Sequence, residues 1–278
     1  MNTNQSRHFR MSVLMQLSLV TAGIYFLLSP LAYAELSAST ETVHGQGAPT
    51  VPILTVPSSS FTGKAETATA ASTDPDQDPI EYQFRWCSAA NGTGTCLVGS
   101  TQTFARVGVQ YVSAKAVTPR GYPQPEQGSS LWSADKVIKY YAVVGAGCSS
   151  GATLVASGLT YSCPMTKAEA DTQGITYQGT FSERGIQYVL ITAPNRGYYC
   201  SQLGPDYRVP NRSELRGLYN VYPNNAIKTT HGWPTNNDYW ASEQIDASNI
   251  YSAYLSYSVF QEVFGNDPIG NIMTCVKG

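Results

Sequence analysis

The sequence predicts a mainly β chain, with an N-terminal β-sandwich followed by an α+β part. Two observations carry this. From about Pro52 to Ser133, short runs of β-branched and aromatic residues alternate with turn signals and never take up a helical period. Further on, two helix-start signatures, Thr166-Lys167-Ala168-Glu169 and Asn211-Arg212-Ser213-Glu214, interrupt a continuing series of strand-like runs. The layout expected from these is a signal peptide (1–34), a flexible leader (35–50), a β-sandwich (51–135) and an α+β domain (136–278).

Residues 1–34 have the form of an export signal. Arg7 and Arg10 make a positive start, Val13–Leu31 is mostly apolar, and Ala32-Tyr33-Ala34 suits a signal peptidase, so Glu35 is the expected first mature residue. A membrane anchor is the competing reading, and Ser18, Thr21, Ser29 and Pro30 break the apolar run that it would need. The expected product is secreted, with no membrane insertion. Glu35 to about Thr50 is small, polar and turn-rich, and His44 within it is read as solvated.

In the sandwich, strands are expected at Ile53–Val56, Ala65–Ala70, Ile80–Trp86, Thr103–Val107 and Gln110–Val117. Their spacing suggests an immunoglobulin-like arrangement. Tyr82, Phe84 and Trp86 share one face by period-two geometry, which makes Trp86 a core candidate, and Tyr111 after Gly108 suits a corner tyrosine. Asp74, Asp76 and Asp78 put three carboxylates on alternate residues, a weak calcium candidate set. Pro75 and the missing downstream glutamate favour an ordinary turn instead. Arg120–Ser130 is a proline- and glycine-rich loop or linker. Ile138–Val144 is read as the first strand of the second domain.

The second domain is expected to place a short helix from about Lys167 to Asp171, ending near Gly174. Strands should follow at Ile175–Phe181 and Gly185–Thr192, then a helix from Asn211 burying Leu215 with Leu218 or Tyr219. Ser252–Phe260 reads as strand.

The whole chain carries 17 basic and 19 acidic residues, and loss of Arg7 and Arg10 with the signal would leave 17 − 2 = 15 basic. No basic stripe is present, which argues against nucleic acid and anionic membrane as partners. Charged residues make up only 13%, against 19 tyrosines and 24 glycines, a composition suited to hydrogen bonding and aromatic contact. All six cysteines follow the signal, so disulfides are expected in an exported chain. Sequential pairing is the arrangement we take: Cys87–Cys96, Cys148–Cys163 and Cys200–Cys275. Metal binding has little support, with no C-x-x-C pair and only His231 in the likely folded region.

Nothing in the sequence assembles a catalytic group, and the chain is read as a non-enzyme with no cofactor. His231 is the one histidine placed for a triad, and no G-x-S-x-G elbow accompanies it. Glu243, Asp246 and Glu262 are the carboxylates from which a secreted hydrolase could be built, the remotest of the readings.

Arg208-Val209-Pro210-Asn211-Arg212-Ser213-Glu214-Leu215, Tyr239-Trp240-Ala241-Ser242 and the closing Cys275-Val276-Lys277 resemble the C-type-lectin-like modules of bacterial surface proteins. The invasin/intimin-type adhesion domains of enteric bacteria are among these, and the whole layout resembles the ZirS-type exoproteins. The resemblance implies a C-type-lectin-like adhesion domain over 136–278 and recognition of a protein partner, an intimin-like outer-membrane protein. A host-surface glycoprotein or glycan is the alternative ligand, and the resemblance extends to a modulating part in host interaction or virulence. It also points to Trp233, Asn236, Asn237, Asp238, Tyr239 and Glu262 as ligand-binding candidates, since lectin-like modules place their long loop there. The E-P-N or Q-P-D and W-N-D signatures of calcium-dependent lectins are missing, which favours a protein ligand.

Overall fold

The computed structural model describes residues 47–118, 128–223, 225–246, 249–256, 270–278 and the backbone of 261–265. The proposed signal peptide, most of the leader, the centre of the Arg120–Ser130 loop, residues 257–260 of the expected last strand and the Glu262 side chain lie outside them.

Among the described residues, ten strands build the first half: β1 Ile53–Thr55, β2 Ser59–Phe61, β3 Ala65–Thr67, β4 Thr69–Ala71, β5 Glu81–Ala89, β6 Thr93–Val98, β7 Thr101–Thr103, β8 Gly108–Thr118, β9 Gly128–Ser129 and β10 Lys136–Tyr141. The main sheet runs β2-β10-β8-β5-β6 with β9 on β8, and the pairs β1-β4 and β3-β7 stand apart from it. Leu54 and Ala68 join Phe84, Trp86, Val112, Ala114, Ile138 and Tyr140 in one core. The aromatic face read from β5 is the inward one: Trp86 is 0% exposed and donates Nε1–H to the Gly99 carbonyl at 2.9 Å. Burying these side chains against water is what drives the two layers together.

The expected boundary at 135/136 needs correction. Lys136–Tyr141 pairs antiparallel with β8 and parallel with β2, so it is a strand of the first sheet and the change of core falls after Tyr141. Its apolar run reads alike in either domain. The halves also share polar joints. Gln173 accepts from Thr62 Oγ1 and from the Val143 amide, each at 2.6 Å, and donates to the Val143 carbonyl at 2.7 Å.

The second half contains β11 Thr153–Ala156, β12 Leu159–Ser162, β13 Gly179–Glu183, β14 Ile186–Leu190, β15 Asp238–Gln244, β16 Ile250–Tyr254, β17 Gln261–Gly265 and β18 Val276–Lys277. Its helices are α1 Lys167–Gln173, α2 Arg196–Ser201, α3 Arg212–Val221 and α4 Ala226–Thr229. The sheets are β11-β12-β18, β13-β14 and β15-β16-β17. The last segment threads between them, bridging Asn271 to Ile191, Ile272 to Tyr239 and Val276 to Arg208. Two cores flank it, one around Leu215, Leu218, Trp233 and Tyr239, the other around Tyr199, Trp240, Met273 and the Cys200–Cys275 pair.

Both predicted capping boxes form. Thr166 and Glu169 exchange hydrogen bonds at the start of α1, which ends on left-handed Gly174. Asn211 Oδ1 accepts from the Glu214 amide at 2.8 Å, and Glu214 Oε2 accepts from the Asn211 amide at 2.8 Å. Leu215, Leu218 and Tyr219 are the buried face of α3, as read. The three disulfides pair sequentially: Cys87–Cys96, Cys148–Cys163 and Cys200–Cys275.

Arg208 grips Glu214 with both Nη atoms, at 2.8 and 2.6 Å, and holds its carboxyl below the ordinary glutamate range. A lowered pKa stabilises the fold fully above the unfolded value of about 4.3, and the gain is lost as pH falls through the folded value. Acidification from about pH 5 to about pH 3 should therefore lower the melting temperature of the unaltered chain more than that of Glu214→Gln. Parallel melting curves across that range would show that the fork adds nothing.

Candidate functional site

The long connection between α4 and β15, residues 230–237, carries three of the six sequence-predicted binding residues, Trp233, Asn236 and Asn237, and leads directly into Asp238 and Tyr239. Its placement is set by the tip of the β13-β14 hairpin. Arg184 and Gly185 turn there with φ of 54° and 77°, the left-handed pair that closes a two-residue hairpin. Glu183, 5% exposed, is thereby aimed at the connection. Its Oε2 accepts from the amides of Thr235 at 2.7 Å and Asn236 at 3.1 Å, while Oε1 pairs with Lys228 Nζ at 2.6 Å. One buried carboxylate thus fixes two backbone amides and a cation from α4.

The opposite shoulder of the connection is held as firmly. Arg184 Nη2 donates to the Gly232 carbonyl, and the Ser149 amide donates to the His231 carbonyl at 2.9 Å. Gly232 has φ of 73°, and a Cβ there would stand 2.7 Å from the Ser149 backbone nitrogen. No larger residue fits without moving the Cys148–Cys163 loop against which it lies.

This frame sorts the predicted residues into two groups. Trp233 and Tyr239 are each 0% exposed, and the Tyr239 hydroxyl donates to the Pro234 carbonyl. They are corrected from ligand contacts to core residues, because the chain enters and leaves the connection with its large rings turned inward. Trp240 is a core residue too, donating Nε1–H to the Ile191 carbonyl. Asn236 is exposed, and Asn237 and Asp238 are half-buried, so a polar strip remains outside. Lys228 Nζ reaches Asn236 Oδ1 at 3.4 Å, and Asp238 Oδ2 accepts from Ser252 Oγ at 3.3 Å. The Glu262 backbone, in β17, pairs with Ala253.

The groups considered for chemistry are engaged structurally. The His231 ring packs edge-on against Tyr222, with centroids 4.7 Å apart. Both Glu243 oxygens accept from the Arg212 amide, at 3.0 and 2.9 Å, capping α3 from outside. Asp246 accepts from the amide and side chain of Asn249. In the aspartate loop, Asp74 Oδ1 accepts from the amides of Asp76 and Asp78, and Asp76 Oδ2 from the amide of Gly47 at 2.6 Å. These carboxylates serve the turn rather than converge. No cluster of three or more His, Cys, Asp or Glu suited to a metal occurs among the described residues.

Sequence reasoning missed Glu183, Arg184 and Lys228. The Arg184-Gly185 turn was the available signal, but nothing local announces that Glu183 meets amides more than 50 positions away.

The comparison that bears on function falls on this half. Residues 147–276 match the adhesion-domain family of InvE. The matched stretch is just under half of the chain and contains the clamped connection, both of its flanking cores and two of the disulfides. The C-terminal half is thus similar to that adhesion-domain family over the matched residues. Among solved structures, the Yersinia pseudotuberculosis adhesin InvE is similar at 16% identity over 82% of this chain and 71% of that one, with a TM-score of 0.40. The PKD domain of an M14-like peptidase from Thermoplasmatales archaeon SCGC AB-540-F20 is similar at 22% identity over 34% of this chain and 98% of that one, with a TM-score of 0.25. No curated protein matches the sequence. No helix among the described residues is long and apolar enough to cross a membrane.

Proposed function

We propose that the chain is an exported, non-enzymatic adhesion protein that recognises a protein partner through the strip Asn236-Asn237-Asp238. The observation that carries this is the Glu183 clamp, which holds that strip in one conformation from below. A pre-set polar surface loses less conformational freedom on binding, and so keeps more of its contact energy as affinity. The adhesion-domain match over the same residues supports the reading, and the three disulfides suit an oxidising space outside the cytosol. In this proposal the first half is an immunoglobulin-like spacer, the second a C-type-lectin-like module, and the partner an intimin-like outer-membrane protein of the producing cell, as in ZirS-type exoproteins.

Cross-linking on culture supernatant and on intact producing cells tests the partner. Recovery of an outer-membrane protein supports the proposal, whereas selective retention on host cells or glycans would transfer the same surface to a host ligand. Asn236→Ala/Asn237→Ala should weaken capture at least about tenfold, the equivalent of one or two hydrogen bonds, without shifting the melting temperature. Undiminished capture would place the contact elsewhere.

A further inference from the structure

A large pocket lies in the first half, away from the adhesion-type domain. It holds about 630 Å³ and is lined by Tyr82, Gln83, Phe84, Arg85, Val98 and Trp132 among others. Its lining is largely aromatic and apolar, and Val98, directly opposite Arg85 on β6, is 80% exposed. Arg85 is the single charged residue among the described residues of the lining.

That guanidinium is held on several sides, although no counter-ion pairs with it among the described residues. Its Nε donates to Ser113 Oγ at 2.8 Å, and its carbon lies 4.1 Å from the centre of the Trp132 ring. Gly92, at the tip of the β5-β6 hairpin, closes over it so tightly that a Cβ there would come within 2.1 Å of the guanidinium. The tip itself is tied down, because the Asn91 amide donates to Asp135 Oδ2 at 2.5 Å, which also occupies an acidic group beside the tip. Ser113, Trp132 and the hairpin thus hold the plane of Arg85 on three sides. Nη1 and Nη2 have no hydrogen-bond or ion-pair partner among the described residues.

A cation stacked on an aromatic ring, held by its Nε and left with its two terminal nitrogens free, presents a fork matched to a carboxylate. The Trp132 ring and Val98 beside it suit a flat or weakly polar body attached to that carboxylate. We propose that this pocket is a binding site for a carboxylate carried on a ring, with the acid paired end-on to Nη1 and Nη2 of Arg85 and the ring lying against Trp132 and Val98, the residue opposite Arg85 on β6. An acidic sugar and the terminal carboxylate of an aromatic residue both present this chemistry. The site is separate from the Asn236–Asp238 strip and does not depend on the reading of that strip.

Calorimetric titration of the full chain decides it, with three probes: the methyl glycoside of N-acetylneuraminic acid, methyl glucuronide and N-acetylphenylalanine. Each is compared with its own methyl ester. Binding of at least one acid, weakened at least about tenfold in the ester and in Arg85→Gln, is the expected result. The probe that binds separates a sugar source from a peptide source. Arg85→Lys keeps the charge and the packing stem but loses the fork, and should also lose most of the affinity. The ester comparison uses the unaltered chain, so it stands even if Arg85→Gln folds poorly. Equal binding of acid and ester, or no binding of any acid up to about 10 mM, overturns the proposal.

Discussion

Replacing Cys200 and Cys275 together by alanine should lower the stability of the C-terminal half by about 4.5 kcal/mol, the largest effect of the three bridges. The bond spans a separation of 75 residues, against 15 for Cys148–Cys163 and 9 for Cys87–Cys96. Constraint of the unfolded chain grows with the logarithm of the loop, so the same model gives about 3 kcal/mol for the middle bridge and about 2.5 for the short one. Both long-range cysteines are 0% exposed and join α2 to the segment that threads between the two C-terminal cores. Their loss also leaves two buried side chains smaller by a sulfur each, which adds to the cost. Denaturant unfolding followed by tryptophan fluorescence reads this directly, since Trp233 and Trp240 are buried in the two affected cores. A smaller loss for this pair than for Cys87 and Cys96 would mean that the last segment is not what the half is assembled around.

The features legible in the sequence are those whose cause is local. A capping box is written within four residues, so both helix starts could be placed. The face of β5 follows from alternation alone, which located Trp86 in the core. Two of the cysteine pairings are legible because separations of 9 and 15 residues favour neighbours once an even number is present, and the long Cys200–Cys275 pairing is what they leave.

Where the deciding contact is distant, the sequence reads ambiguously. Lys136–Tyr141 has a strand pattern, but its partners Val112 and Ser59–Phe61 lie far upstream, so the pattern could not say which sheet it joins. Strand β6, Thr-Gly-Thr-Cys-Leu-Val, contains Gly94 and is exposed along most of its length, which leaves no apolar alternation to read. Helix α2 has no side-chain cap at Asn195 and so lacks a start signal. Trp233 and Tyr239 stand beside polar residues, and a ring at such a position has the same sequence signature whether it faces a ligand or the core. The two asparagines between them keep a surface position because the chain reverses there and the rings occupy the inside of the bend.

The same asymmetry makes Glu183→Ala the more informative single substitution for function. Removing this carboxylate leaves the amides of Thr235 and Asn236 without an acceptor and Lys228 without its anion, in a place where the Glu183 side chain is 3% and Lys228 27% exposed. Breaking a buried pair from one side costs about 3 kcal/mol, because the surviving charge and donors lose water without compensation. Much of that cost can be escaped by letting residues 230–237 leave the hairpin tip. The expected outcome is therefore a loss of stability together with faster amide hydrogen exchange at Thr235 and Asn236 than elsewhere in the half. Partner capture should fall at least as far as in Asn236→Ala/Asn237→Ala, although Glu183 is too buried to touch a ligand. Glu183→Gln keeps a carbonyl oxygen where Oε2 accepts from both amides but turns an amide –NH2 toward Lys228 in place of the charged Oε1, and should lie between. If Glu183→Ala captured partner as well as the unaltered chain while its amides exchanged freely, binding would not need a pre-set connection, and the affinity would have to come from contacts outside residues 230–238.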